Sequence, residues 1–87
     1  MDSSAIEGEL VMASIDGWLK QADELARHSI LDLGKVTRMD SAGASFLLEL
    51  TRRAGRNGHV LQFSNIPGRA SSLIKFLQID AVLKLTS

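Results

Sequence analysis

Hydrophobic and polar positions change their period several times along the chain. Residues 5–10 predict a short strand, which Gly8 weakens. From residue 11 to residue 27 apolar residues recur at helical spacing, and charged residues occupy the other side, which predicts one amphipathic helix. Its buried face is expected to contain Met12, Ile15, Leu19, Ala22 and Ala26, with Val11, Trp18 and Leu25 beside them.

The rest of the chain alternates between strand and helix signals. Residues 28–33 predict a strand ended by Gly34, and a connection over residues 34–39 leads to a helix from about Ser41 to Arg56. Residues 59–64 predict a third strand, and residues 82–85 predict a last short strand. Between them Pro67 marks the start of a third helix, because proline is tolerated at the first helical position. This order predicts an α/β fold in which helices connect parallel strands.

The helix that begins near Ser41 has an unusually wide apolar side. Gly43, Leu47, Leu50 and Ala54 point in one direction, and their small or apolar neighbours widen the arc to roughly 200°, where a core-facing stripe needs about 100°. Either the excess packs on a neighbouring helix, or part of it is an exposed binding strip. The sequence leaves both interpretations open.

Two polar residues begin this helix. Asp40 or Ser41 can accept a hydrogen bond from a free backbone N–H of the first turn. Alternatively, a phosphate on Ser41 would lie where the N–H groups and the helix dipole favour anions. It would add bulk and charge beside Ala42 and Gly43, and would expel a partner fitted to these small residues. Capping alone and a switchable hydroxyl are both consistent with the pattern.

Composition narrows the classes of function. The 87 residues suffice for one domain, 1–87, and the hydrophobic fraction of 45% is enough for a core. Ten basic and ten acidic residues cancel, so no net field favours nucleic acid or an anionic membrane surface. The absence of cysteine excludes disulfides and thiolate metal sites and suits the cytoplasm. No apolar run approaches the roughly 20 residues that insert across a bilayer.

Enzyme signatures are weak, and we expect no catalytic residue, metal or cofactor. Adjacent Asp40 and Ser41 cannot both serve one histidine in triad geometry, and His28 and His59 stand at predicted strand starts. Metal ligands are not clustered, and no phosphate-binding glycine loop is present. The central helix carries three arginines on one side, beside Glu49: Arg52, Arg53 and Arg56. They form either a solvated face or an ionic contact for a partner protein.

The stretch "ILDLGKVTRMDSAGASFLLEL", residues 30–50, resembles the core of STAS domains, named for sulfate transporters and anti-sigma-factor antagonists. The similarity extends more loosely to "EGEL" at residues 7–10. It implies a STAS-type α/β sandwich with a small mixed sheet of about four strands and helices packed mainly on one face. Two features depart from the family pattern: the early strand pair is shortened, and Ala44 stands where Leu is frequent.

Two subfamilies fit this resemblance. The stretch "FSNIPGRASSLIKFLQIDAVL", residues 63–83, is similar to the MlaB-type subunit of bacterial phospholipid-transport ABC complexes, which implies a cytoplasmic protein, peripheral to the inner membrane, that binds the ABC ATPase. Anti-sigma-factor antagonists imply a serine kinase partner and phosphorylation at the position of Ser41. Either resemblance places partner contacts on the loop and helix, with Asp40 organising the loop and Ser41 at the centre: Asp40, Ser41, Ala42, Gly43, Ser45, Leu48 and Arg52.

Overall fold

The structure is a computed structural model that describes residues 2–86, so residues 1 and 87 of the predicted domain lie outside the described residues. Four strands alternate with helical segments in this part of the chain. The strands are β1 (Ser3–Leu10), β2 (Ile30–Met39), β3 (Gln62–Ser64) and β4 (Lys84–Leu85). The helices are a 3₁₀ helix (Met12–Ser14), α1 (Ile15–Leu19), α2 (Ala22–Leu25), α3 (Ser41–Arg56) and α4 (Gly68–Phe76).

The strands form one sheet in the order β1-β2-β3-β4, and every pairing between described strands is parallel. The expected α/β fold is confirmed, with parallel pairing in place of the mixed sheet, because each connection between neighbouring strands contains a helix. Such crossovers are almost always right-handed, so sequential strand order puts all the helices on one face. Leu31, Leu33 and Phe63 are fully buried under these helices, whereas the opposite face carries polar side chains.

Strand β2 is longer than predicted, and the expected connection over residues 34–39 is wrong. The strand continues through Gly34 because β1 pairs with it as far as Leu10 and Met39. The register shifts between Gly8 and Glu9, and Gly8 has φ 101°, which only glycine adopts readily. At this shift β1 advances by one residue and β2 by two, from Val36 to Arg38, so the extra residue lies on β2. The glycine expected to weaken β1 lies at this irregularity, and the two strands remain paired beyond it.

The predicted helix over residues 11–27 is divided into three short segments. Gln21 donates its N–H to the Trp18 carbonyl at 2.9 Å, a three-residue spacing that tightens and ends α1. The later part of the predicted face, Ala22 and Ala26, is buried as expected. In the earlier part Ile15 is half-buried against the core, whereas Met12 is 69% exposed and Leu19 is 41% exposed.

Helix α3 has the predicted bounds and lies at the centre of the helical layer. Contacts with α1 and α2 on one side and with α4 on the other cover most of its wide apolar arc. Ala44 and Phe46, which flank the expected buried stripe, have 0% and 2% exposure. The excess width is therefore used mainly for packing on neighbouring helices.

The segment after α3 explains why β3 is short. The His59 N–H bonds to the Ala54 carbonyl at 3.1 Å, and Gly58 has φ 85°, so the chain stays attached to the helix end through residue 59. Pairing starts only at Gln62, and Val60, which lies within the strand predicted over residues 59–64, is 62% exposed. The last strand is also shorter than predicted. It comprises Lys84 and Leu85, which pair with Gln62 and Phe63, and the Thr86 N–H then bonds to the Phe63 carbonyl at 2.8 Å.

Candidate functional site

Asp40 joins two segments at the carboxyl edge of the sheet. Its Oδ1 accepts the Gly43 N–H at 3.1 Å, which caps α3, and its Oδ2 accepts the Met12 N–H at 3.0 Å. Its own N–H bonds to the Leu10 carbonyl at 3.2 Å. One carboxylate therefore holds the start of α3 against the segment that follows β1.

The hydrogen bond from the Met12 N–H, followed by that from Gly43, holds the pKa of the Asp40 carboxyl below its usual value. Both donors favour the charged form, so Asp40 is a carboxylate at neutral pH. The expected role of Asp40 as cap and loop organiser agrees with these contacts, and its link to Met12 was not visible in the sequence.

Gly43 faces the interior. It is buried, and a Cβ added there would lie 2.8 Å from the carbonyl carbon and 2.9 Å from the Cβ of Leu10, and closer still to the Leu10 carbonyl oxygen. Real Cβ atoms do not approach backbone atoms so closely, so only glycine fits. The close approach that Gly43 permits is to β1 within the chain, whereas the sequence had suggested approach by a partner.

Four of the other predicted contact residues share one solvent-facing side of α3. Spaced at 100° per residue, Ser41, Ser45, Leu48 and Arg52 fall within a narrow stripe opposite Gly43. Ser41, Ser45 and Arg52 are exposed, and Leu48 is half-buried against the core. We call these four residues the docking stripe. The structure brings them together at the surface, with half-buried Ala42 at one side.

An apolar groove borders the docking stripe. It has a volume of about 450 Å³ and lies between α3 and the preceding helical segments, with Ala42, Ser45, Glu49 and Arg53 on the α3 side. Its apolar lining comes from Met12, Ile15 and Leu19, which sequence periodicity assigned to a buried face, and from Phe46 of α3. Periodicity thus identified an apolar helix face correctly, but in this chain part of that face is exposed to solvent.

Ion pairs lie on the α3 side of the groove, where Glu49 and Arg53 line it. Arg52 Nε donates to Glu49 at 2.9 Å, and Arg53 bridges Glu49 at 2.7 Å and Asp23 at 3.0 Å. The hydrogen bonds from Arg52 and then Arg53 lower the pKa of Glu49 to about 2. Arg52, expected as a partner contact, is thus already paired within the chain, although its side chain stays 55% exposed.

Among the described residues, the geometry does not bring either histidine close to Ser41. His28 precedes β2 and pairs with Asp2 at 2.7 Å, whereas Ser41 follows the same ten-residue strand, roughly 30 Å further on. His59 lies beyond the other end of α3, about 24 Å along a 16-residue helix. Within residues 2–86, no three His, Asp or Glu side chains cluster as metal ligands, and no helix has the length and apolar character to span a bilayer.

Comparison with known proteins agrees with this fold. The four-stranded parallel sheet with its helices matches a STAS-type α/β fold. A family described as "Mlab, STAS domain" matches residues 5–86, and this chain belongs to that family. STAS domains are generally regulatory and protein-interaction domains rather than enzymes.

A solved structure shows the same fold at low sequence similarity. The anti-sigma-factor antagonist SpoIIAA, in its unphosphorylated form, superposes with a TM-score of 0.68 at 14% identity. The match covers 99% of this chain and 80% of the SpoIIAA chain. The likeness confirms the STAS architecture.

Proposed function

We propose that this chain is a non-enzymatic STAS subunit that binds the ATPase of a phospholipid-transport ABC complex and supports its assembly and activity. It would act in the cytoplasm, peripheral to the inner membrane through that partner. The observation that carries the proposal is the exposed hydroxyl of Ser41 at the start of α3, beside an exposed apolar groove. Membership of the "Mlab, STAS domain" family supports the choice of partner.

Docking would use the stripe and the groove together. Met12 and Leu19 expose large apolar side chains, and their removal from water would favour association by about 25 cal/mol for each Å² buried. Ser41 and Ser45 supply hydroxyls next to this apolar area, a mixture of buried apolar contacts and specific polar contacts that is typical of interfaces. Asp40 and Gly43 act indirectly, because they hold α3 against β1 and so position the stripe.

A second candidate is an anti-sigma-factor antagonist regulated by phosphorylation of Ser41. The observation in its favour is that Ser41 is exposed at the first helical position, where a kinase can reach its hydroxyl. A phosphate would add nearly two negative charges beside the Asp40 carboxylate and in the middle of the contact surface, which would expel the partner. The fold shared with the antagonist SpoIIAA is consistent with this role.

Reconstitution with purified partners separates the two candidates. The chain is mixed with the lipid-transport ABC ATPase of the same genome or with an anti-sigma-factor serine kinase, and binding is measured by calorimetry. The lead proposal expects a stable complex with the ATPase, raised ATP hydrolysis, and at least tenfold weaker binding by Ser41→Asp. Kinase binding with ATP-dependent release, abolished in Ser41→Ala, would favour the second candidate and contradict the first.

The groove has its own matched test. Leu19→Ser removes an exposed apolar side chain from the groove, whereas Val82→Ser removes one that is 54% exposed and does not line the groove. We expect Leu19→Ser to weaken ATPase binding severalfold and Val82→Ser to leave it within experimental error. Equal effects of the two substitutions would place the interface elsewhere.

A further inference from the structure

A smaller cleft lies between the end of β2 and the start of α4. Its volume is about 160 Å³, and its polar lining comes from Thr37, Arg38 and Arg69. No Asp or Glu among the described residues lines it. Two arginines from separate elements therefore share one small cleft that contains no carboxylate of its own.

The positive charge in this cleft is only partly compensated. Arg38 pairs across the strands with Glu9 at 3.2 Å, and both side chains are largely exposed, so the pair is weak. Arg69 is exposed and makes no ion pair with any acid in residues 2–86. Because guanidinium groups stay protonated at all physiological pH values, the cleft keeps a surplus positive charge that an anion would neutralise.

The chemistry of the lining favours a phosphate group. A guanidinium group presents a planar fork of donors that matches pairs of phosphate or carboxylate oxygens. Two such forks can use different oxygens of a tetrahedral phosphate, whereas a carboxylate has only two oxygens to share. Thr37 also lines the cleft, and a threonine hydroxyl can act as a further donor.

Apolar residues complete the cleft: Val36, Met39, Pro67 and Ala70. These side chains can lie against the carbon atoms of a phosphate ester. We propose that the cleft between β2 and α4 binds a phosphate group, either as free inorganic phosphate or as the head of a small phosphate monoester. This proposal is independent of the docking proposal, because it uses neither the stripe nor the groove.

The test is a titration of the full ¹⁵N-labelled chain, followed by amide chemical shifts, with inorganic phosphate in one arm and glycerol 3-phosphate in the other. Ionic strength is held constant with sodium chloride. We expect saturable shifts at residues 36–39 and 69–70 in at least one arm. Tighter binding of glycerol 3-phosphate would identify the ester as the ligand class, and equal or tighter binding of inorganic phosphate would identify the free ion.

Matched arginine substitutions test the site itself. Arg69→Gln should weaken binding at least tenfold, and Arg56→Gln, which removes an exposed arginine that does not line the cleft, should change it less than twofold. Arg69→Lys keeps the charge without the fork, so an intermediate affinity is expected. Shifts that never saturate in either arm, or equal losses in Arg69→Gln and Arg56→Gln, would overturn the proposal.

Discussion

Replacement of Gly43 by alanine tests the contact between α3 and β1 that positions the docking stripe. The added Cβ would meet three atoms of Leu10, two of which, the carbonyl carbon and oxygen, belong to the backbone and cannot rotate away. Relief requires the start of α3 to move away from β1 by about 1 Å or more, since unbonded carbon atoms settle at ~3.5–4.0 Å. Such overpacking typically costs about 1–3 kcal/mol.

The net effect depends on helix propensity as well. Alanine is favoured over glycine inside a helix by about 1 kcal/mol, which offsets part of the overpacking. Because the clash is with fixed backbone atoms, we place the overpacking at the upper end of its range and expect a net loss of about 2 kcal/mol. For a domain of this size that corresponds to a melting temperature lower by about 8–16 °C.

Gly55→Ala is the matched control in the same helix. Gly55 is exposed and has no atom within 4 Å of an added Cβ, so the substitution should stabilise the protein by about 0.5 kcal/mol. Urea unfolding followed by far-ultraviolet circular dichroism measures both variants. The reasoning is refuted if Gly43→Ala is as stable as wild type, or if it shifts the urea midpoint in the same direction as Gly55→Ala.

Three further predictions concern the cap, the surface ion pairs and the core. Because the pKa of Asp40 is lower in the folded state, its carboxylate stabilises the folded protein above about pH 4, and this contribution is lost as the pH falls further. The urea midpoint of Asp40→Asn should therefore fall less steeply between pH 5 and pH 2 than that of wild type. Equal slopes would contradict this. Glu49→Gln should lower the free energy of unfolding slightly at low salt, because it removes the charge that pairs with Arg52. This difference from wild type should vanish near 1 M sodium chloride, where charges are screened within about 3 Å. A difference that persists there would show that the ion pair is not screened. Phe63→Ala removes a fully buried ring at the centre of the sheet, and the urea midpoint should report a loss of about 3–5 kcal/mol; a loss under 1 kcal/mol would mean that the ring is not packed as described.

Local signals explain which elements were predicted well. Helix α3 runs from Ser41 to Arg56 as expected, because its start is marked by Asp40 and its end by Gly58, both within one turn of the helix. The segment that resembles STAS domains contains this same cap and helix. Family and fold class were therefore accessible from residues close together in the chain.

Strand β2 shows where local signals fail. Gly34 suggested a strand end, but β1 supplies hydrogen bonds as far as Met39, and that pairing joins residues about 30 positions apart. Similarly, periodicity predicted the apolar face that contains Met12 and Leu19 without showing which half of it would be covered. In the structure the break at Gln21 separates buried Ala22 and Ala26 from exposed Met12 and Leu19.

The sequence by itself determined the order of the elements, the capped helix after β2 and the hydroxyl at its start, because helix caps and hydrophobic periods depend on neighbours in the chain. Tertiary structure alone decided that Gly43 faces β1, that Asp40 also holds Met12, and that Arg38 and Arg69 share a cleft. Each of these contacts joins residues about 30 positions apart, whose separation depends on how the strands pair and how the helices pack. No local pattern encodes that distance, so the docking surface and the cleft became visible only in the folded chain.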